Sequence, residues 1–456
     1  MRIACVHIPQ FALQSLTRID PSLRGAPVAV VGSGAPGARP SLYGPIVQAC
    51  SRAAWSLGIR IGMTATAANQ LAPGELRVVT GDSALERETV RAIADALLAV
   101  TGAVDVGGRA GAGGAHLAIY CEVPVKTRGA AYGDRLLEVL GALGLTSRIG
   151  IADDRFTAWV AAAHGGTPSE ESGVISVPRG GSAAFLSPRP LSLLAITPEV
   201  QHMLEALGVR TLGEFAALPA PSTAARPLEA DYQALARGES GHGLRPYAPE
   251  APIREEVVIS TALSGAAAVA VLAERIALRL AGRGRGAARL EVMVARAAGE
   301  GGEGAEVLVP ITPLMAPMSR LTDDNPRGRV LEDPEELAEA IGRALGDELS
   351  TAWRLRVAVS GEAIAGDAIS ITPAVAQAQA IDALSVVLSS TGSGSGSGSW
   401  RLTTPNGESA TPPATLRNER RDAHRRTRRG KVDRKVGRRV RAAELPVQPW
   451  LFAERK

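Results

Sequence analysis

The chain has 456 residues, of which 45% are hydrophobic and 21% charged, and its formal net charge is +4. This length suggests about two to four domains, and the apolar fraction excludes global disorder. The charge is unevenly distributed, because residues 417–441 hold thirteen Lys or Arg against three acids, whereas residues 1–416 sum to about −6. A nucleic acid bound by the body of the chain must therefore use local basic patches.

The three cysteines, Cys5, Cys50 and Cys121, are far apart and lie in apolar runs. Neither disulfide nor metal-ligand spacing is present, so we expect buried, reduced thiols. The first residues contain no long apolar signal segment, and no run of about 18 apolar residues indicates a membrane span. We therefore expect a cytoplasmic protein that does not contact a membrane.

The first third of the chain alternates strand and helix patterns, which predicts α/β or α+β layers. Short apolar runs bounded by Pro and Gly indicate strands, and apolar residues at helical spacing indicate helices. The predicted elements are strands at 2–8 and 27–31, helices at 46–57, 63–72 and 83–100, a strand at 117–125, a helix at 133–143, a strand at 147–151 and a helix at 155–164.

The pattern then changes twice. Residues 190–240 form short helical pieces broken by Pro198, Gly208 and Pro219, which predicts a small helical module. Residues 255–361 follow the order strand, helix, strand, strand, helix, strand, which is the split β-α-β-β-α-β unit. A Gly/Ser linker at 389–400 and a basic tail at 401–456 follow.

Common cofactor and catalytic motifs do not explain the sequence. Gly32–Gly37 fits G-x-G-x-x-G, but Pro36 and Pro40 prevent the helix that a dinucleotide site needs. The six histidines lack zinc-ligand spacing, and no serine stands in a nucleophile elbow. We therefore expect neither a cofactor nor a resident metal.

A longer likeness rests on several segments in order. They are Val6-His7-Ile8-Pro9-Gln10-Phe11, Asp20-Pro21-Ser22-Leu23-Arg24-Gly25-Ala26-Pro27-Val28-Ala29-Val30, Gly58-Ile59-Arg60-Ile61-Gly62-Met63, Ala115-His116-Leu117-Ala118-Ile119, Arg148-Ile149-Gly150-Ile151-Ala152 and Leu204-Glu205-Ala206-Leu207-Gly208-Val209. Over roughly residues 1–385 the chain resembles the Y-family (UmuC-like) translesion DNA polymerases. The resemblance implies an α+β multidomain fold: palm and fingers at 1–165 (fingers about 21–75), thumb at 166–243 with a helix-hairpin-helix-like segment, and little finger at 244–388.

Members of this family join nucleotides with two Mg²⁺ ions held by carboxylates. In this chain the family's acidic positions align with His7, Pro9, Gly113 and Gly114, so the resemblance implies that these ligands are lost. Asp105 is the only acid near the missing pair. A polymerase scaffold without its metal ligands resembles the ImuB-type proteins, which implies an adaptor in translesion synthesis. Its partners would be the β sliding clamp, an ImuA-type RecA-like protein and an error-prone DnaE-type polymerase.

Primer-template DNA would be bound without sequence specificity. The candidate contacts are arginines of the little finger and the tail: Arg275, Arg279, Arg283, Arg285, Arg289, Arg425, Arg426, Arg428 and Arg429. In the thumb, Pro198 and Glu199 stand where the family has glycines whose amides reach phosphate, so we expect that contact to be weak.

The end of the chain supplies a separate signal. Gln448, Leu451 and Phe452 fit the Q-x-x-L-F pattern of clamp-binding peptides, and an apolar anchor on a charged tail favours partner docking. Two alternatives stay open: an active low-fidelity polymerase whose metal ligands have moved, with Asp105 among them, and a non-specific DNA-binding protein driven by its tail.

Overall fold

The computed structural model of the protein describes residues 1–32, 44–108, 116–125, 127–166, 173–219, 227–241, 243–250, 252–296, 307–315, 327–328, 331–364 and 369–370. All of them belong to one of the two compact units into which the chain divides. Gly113, Gly114, the linker at 389–400 and the tail at 401–456 lie outside the described residues.

Strands and helices alternate along much of the described chain. In chain order, the strands are β1 (Arg2–Ile8), β2 (Val28–Val31), β3 (Val47–Cys50), β4 (Arg77–Thr80), β5 (Val104–Gly108), β6 (Leu117–Val123), β7 (Arg148–Ala152), β8 (Gly173–Ser176), β9 (Ile253–Val258), β10 (Arg285–Arg296), β11 (Val307–Met315), β12 (Arg327–Gly328), β13 (Ala352–Ile364) and β14 (Ile369–Ser370). The α-helices are α1 (Phe11–Ile19), α2 (Arg52–Ser56), α3 (Ala65–Leu71), α4 (Ser83–Leu97), α5 (Gly129–Ala142), α6 (Arg155–His164), α7 (Ser182–Leu186), α8 (Pro198–Ala206), α9 (Leu212–Ala216), α10 (Pro227–Arg237), α11 (Gly265–Arg283) and α12 (Pro334–Leu345).

A five-stranded sheet in the order β5-β6-β1-β7-β8 forms the centre of the first module. Strand β1 is antiparallel to β6 and β7, and alternate residues point to opposite faces. Val6 packs in the cluster that includes residues of α4 and α5, whereas Cys5 packs against α6. Gly150 allows the close approach of α6 to β7, because a Cβ there would lie 2.1 Å from the carbonyl oxygen of Ala158.

A smaller sheet has the order β3-β2-β4. Its strands β2 and β3 lie within the predicted fingers with α2 and α3, and β4 lies just beyond their predicted end. Here the prediction of a helix over 46–57 is wrong in its first half, because Val47–Cys50 is strand β3, paired with β2. Only Arg52–Ser56 is helical, and it starts at the Ser51 cap. Three buried residues in a four-residue run suit a strand as well as a helix, and pairing with β2 decides between them.

Short helices α7 to α10 form the next module around a separate apolar cluster. The predicted helical character of this region is confirmed, with α8 capped by Thr197 and α9 by a capping box between Thr211 and Glu214. The four-stranded sheet β11-β10-β13-β9 follows. Helices α11 and α12 share its core cluster. The described elements follow the predicted order of strands and helices, with the two-residue strand β12 added between β11 and α12.

The boundaries proposed for palm, fingers, thumb and little finger stay predictions. Within the described ranges, no helix is both long and apolar enough to cross a bilayer.

Candidate functional site

One face of the central sheet carries His7, one of the residues that align with the family's acidic positions, beside two further histidines and an arginine. His7 lies in β1 opposite Arg148 of β7, His116 directly precedes β6, and His164 ends α6. The ring centroids of His7 and His116 are 5.3 Å apart, and the indole ring of Trp159 meets His164 edge-on at 5.4 Å. We call His7, His116, His164 and Arg148 the histidine face.

Burial keeps these imidazoles neutral. His7 is 6% exposed, and burial, with smaller contributions from His116, His164 and Arg148, lowers its pKa to about 3. Burial, His116 and the neighbouring arginines likewise lower the pKa of His164 to about 4, and burial lowers that of His116. Nδ1 of His7 and both ring nitrogens of His116 have no hydrogen-bond partner among the described residues.

Pro9 begins the turn between β1 and α1. Its carbonyl oxygen accepts a hydrogen bond of 2.8 Å from Nε2 of Gln14, and the next residue, Gln10, has a left-handed backbone with φ 51°. A proline offers no side-chain ligand, so this position contributes geometry to the turn and no charge to the site.

Both carboxylate oxygens of Asp105, in β5, accept hydrogen bonds from other residues. Its Oδ2 accepts hydrogen bonds from Nη1 of Arg155 at 2.7 Å and the backbone N–H of Arg245 at 2.9 Å, and its Oδ1 accepts one from Gly107 at 2.7 Å. Burial raises its pKa, but these three partners outweigh that effect and hold the pKa below the usual value. The guanidinium of Arg155 also stacks on the ring of Tyr120, 4.1 Å from the centroid. Asp105 therefore anchors the chain before β9 to the central sheet.

The donor set does not fit the two Mg²⁺ ions of the family mechanism. Mg²⁺ takes oxygen ligands in octahedral geometry, whereas the histidine face offers imidazole nitrogens beside a guanidinium. Across the described ranges, no group of three or more His, Cys, Asp or Glu side chains is arranged to hold a metal ion.

Three of the predicted DNA-contacting arginines are buried. Arg275 and Arg279 are 2% and 0% exposed, and the side chain of Arg283 is 3% exposed. They lie where α11 packs on α4 and α1, in an ion-pair seam that we define as Arg18, Glu88, Asp95, Glu255, Arg275, Arg279, Arg283 and Glu362. The prediction that these three line a DNA groove is therefore at odds with the structure.

Arg279 is the centre of the seam. Its guanidinium contacts Asp95 at 2.9 Å, and Glu255 and Glu88 at 3.0 Å. Arg283 contacts Asp95 at 2.8 Å and Glu362 at 2.6 Å. Although burial opposes ionisation of Glu255, Arg18, Arg279 and Arg275 hold its pKa below the usual value. The partners come from segments far apart in the chain, which is why helix periodicity alone does not reveal them.

The other two predicted arginines of this module are exposed. Arg285 begins β10, and Arg289 lies further along it, opposite Gly361 of β13. Direct strand pairing places Arg254 of β9 in one row with Ala358 and Glu291, on the face of the sheet opposite the core residues.

The sheet surface missed by sequence reasoning is the open face of β9, β13 and β10. It carries four arginines and two glutamates: Arg254, Arg289, Arg354, Arg356, Glu256 and Glu291. Glu256 pairs with Arg354 at 2.9 Å and with Arg356 at 2.8 Å. The alternation of Arg354 and Arg356 with apolar residues in β13 is the signal that could have identified this face.

Comparison with known proteins supports the family resemblance for part of the chain. Residues 6–112 match the sequence model of the impB/mucB/samB (IMS) family. Over 236 residues the chain is 27% identical to DNA polymerase IV of Dehalococcoides mccartyi strain 195, covering 48% of this chain and 53% of that protein. DNA polymerase IV of strain CBDB1 is 26% identical over the same coverage. The chain thus spans about half the length of the curated relatives it matches.

Among solved structures, DinB from Sulfolobus solfataricus aligns with 80% of this chain and 100% of its own, at 16% identity and a TM-score of 0.42. The resemblance stated from the sequence is confirmed at the level of an IMS domain and homology to DNA polymerase IV. The ImuB-type subtype stays a prediction.

Proposed function

We propose that this protein is a non-catalytic, Y-family polymerase-like adaptor in DNA damage tolerance. It binds primer-template DNA without reading sequence and brings an error-prone DnaE-type polymerase, an ImuA-type RecA-like protein and the β sliding clamp to a damaged template. The chemistry of the histidine face supports this proposal most directly, because the neutral imidazole of His7 stands at an aligned position where two-metal catalysis needs a carboxylate.

The open face of the β9-β13-β10 sheet is the proposed DNA contact of the described chain. Arg254 and Arg289 are exposed, and neither has a carboxylate partner at ion-pair distance among the described residues. Their guanidiniums are therefore available to phosphate, which gives salt-sensitive binding without base specificity. Arg285, exposed at the start of β10, is kept as a separate proposed contact. Arg275, Arg279 and Arg283 are left out because the seam buries them.

The tail contributes the remaining proposed contacts. Arg425, Arg426, Arg428 and Arg429 would neutralise further phosphates, and Gln448, Leu451 and Phe452 would bind the clamp. These residues lie outside the described ranges, so the proposal for them rests on sequence pattern and family resemblance. Several modest contacts on one chain raise the effective concentration of partners at a lesion.

Primer extension tests the absence of catalysis. Full-length protein with Mg²⁺ or Mn²⁺ should incorporate no nucleotide on a primer-template that it demonstrably binds, whereas an active DNA polymerase IV does. Incorporation that is lost in Asp105→Asn and retained in the exposed-helix control Asp134→Asn would overturn the proposal and support an enzyme with displaced ligands.

DNA binding is tested by its salt dependence. The double variant R254Q/R289Q should make the slope of log affinity against log salt shallower by about 1.8 if each arginine meets one phosphate. The exposed helix variant R343Q should not change it. If the sheet variant binds like wild type and R425Q/R426Q/R428Q/R429Q loses all binding, the tail-driven alternative is correct.

Clamp binding is tested separately. The variant L451A/F452A should lose binding to the β clamp and keep its affinity for DNA, because the two contacts use different parts of the chain. Unchanged clamp affinity in this variant would disprove the assignment of Gln448, Leu451 and Phe452.

A further inference from the structure

Helix α8 carries an exposed apolar stripe. Val200 and Met203 of α8, and Leu207, which caps its C-terminal end, are 38%, 55% and 74% exposed, and their spacing of three and four residues places them on one side of the helix. We call these three residues the α8 stripe. Within the described chain, no other helix carries more than one exposed large apolar side chain of this kind.

The stripe has no evident role in folding. Leu204 is the buried residue of α8 and joins the apolar cluster of this module. The side chain of Thr197 caps the N-terminus of α8. Neither this cap nor the packing of Leu204 in the core therefore depends on the side chains of the stripe. Single exposed apolar residues are ordinary, but three in one row on a helix indicate a binding surface.

Nucleic acid is a poor occupant for this surface. The first amides of α8 are already used, because Pro198 has no N–H, Glu199 bonds its own backbone amide, and Val200 donates to Thr197. That backbone bond, with the Thr197 side chain, holds the pKa of Glu199 below its usual value. Helix α8 contains Glu199 and Glu205 and no Lys or Arg, so it repels phosphate.

Charge also disfavours a second copy of this chain. Two α8 helices packed face to face would bring their acidic side chains together, and the region 196–218 holds three Glu against one Arg. We infer that the α8 stripe docks a protein partner that offers an apolar helix flanked by Lys or Arg. This inference goes beyond the proposed function, whose partner contacts lie in the tail.

Two synthetic probes test the partner's chemistry. One is a labelled 18-residue amphipathic helix of leucine and lysine, and the other has the same leucine pattern with glutamate. In fluorescence anisotropy with the full-length protein, the lysine peptide should bind saturably and the glutamate peptide at least tenfold more weakly.

Variants locate the site. M203S/L207S should weaken binding of the lysine peptide at least tenfold, whereas V125S, which alters an apolar residue that is 88% exposed elsewhere, should not change it. E199Q/E205Q should weaken binding about threefold and reduce its salt dependence. Because the altered side chains are exposed, the melting temperature should not change, and this separates lost binding from lost folding.

Three results would overturn the inference. They are equal binding of both peptides, wild-type affinity in M203S/L207S, and a dimer in sedimentation that this variant converts to monomer. The last would make a second copy the occupant.

Discussion

The histidine face and the ion-pair seam both bury titratable side chains, but in opposite ways. At the histidine face, burial favours the neutral imidazoles, and Nδ1 of His7 and both ring nitrogens of His116 have no hydrogen-bond partner among the described residues. In the seam, Arg279 and Glu255 stay charged because each carboxylate has a guanidinium within about 3 Å. Buried charge therefore persists where opposite charges compensate for the cost of burial, and burial favours the neutral form where they do not.

The largest effect should come from breaking the seam at its centre. Arg279→Met should lower the free energy of unfolding by about 3–5 kcal/mol, because it leaves Asp95 and Glu255 without their main cation. The matched control Arg343→Met removes an exposed i,i+4 pair with Glu339 and should cost about 0.5 kcal/mol at most. Urea denaturation measures both, and equal effects would show that the seam contributes no more than a surface pair.

A second way to break the seam leaves its charges intact. Gly282→Ala should destabilise the protein by up to about 3 kcal/mol, because the new Cβ would lie 1.7 Å from the carbonyl oxygen of Asp95 in α4. Gly342→Ala, in α12, meets no atom within 4 Å and should instead stabilise by about 0.5–1 kcal/mol. Thermal melts should move in opposite directions, and a harmless Gly282→Ala would disprove the close packing of α11 on α4.

Mild acid should distinguish the two regions through its effect on the histidine face. The folded pKa of His7 is about 3, below the unfolded value of about 6.5, so the unfolded chain binds the extra proton. The neutral imidazole of His7 therefore makes its full contribution to the free energy of unfolding above pH 6.5. This free energy falls as the pH drops, by about 2 kcal/mol at pH 5. In the seam, Glu255 keeps its charge in this window because Arg18, Arg279 and Arg275 hold its pKa below the usual value.

Urea denaturation at pH 7 and pH 5 measures this dependence. His7→Gln should lose that share of the pH dependence, and His202→Gln, at an exposed position, should keep it. If His7→Gln has the wild-type pH profile, the imidazole of His7 is not held neutral in the folded protein.

Much of the architecture could be predicted from the sequence, because local pattern specifies it. Strand β1, helix α6 and the order of elements from β9 to β13 follow from apolar spacing and caps such as Asp154 and Ser264. The sequence alone also shows that the aligned positions of His7 and Pro9 carry no carboxylate, since the atoms of a side chain do not depend on the fold.

Tertiary structure alone decided what those side chains do. Strand β3 depends on pairing with β2, and Arg279 is buried because Asp95, 184 positions away, lies beside it. An arginine on an amphipathic helix is equally compatible with solvent, phosphate or a buried carboxylate. Only the packing of α11 on α4 determines which of these environments Arg279 has, because burial and long-range ion pairs depend on neighbours that no local sequence pattern contains.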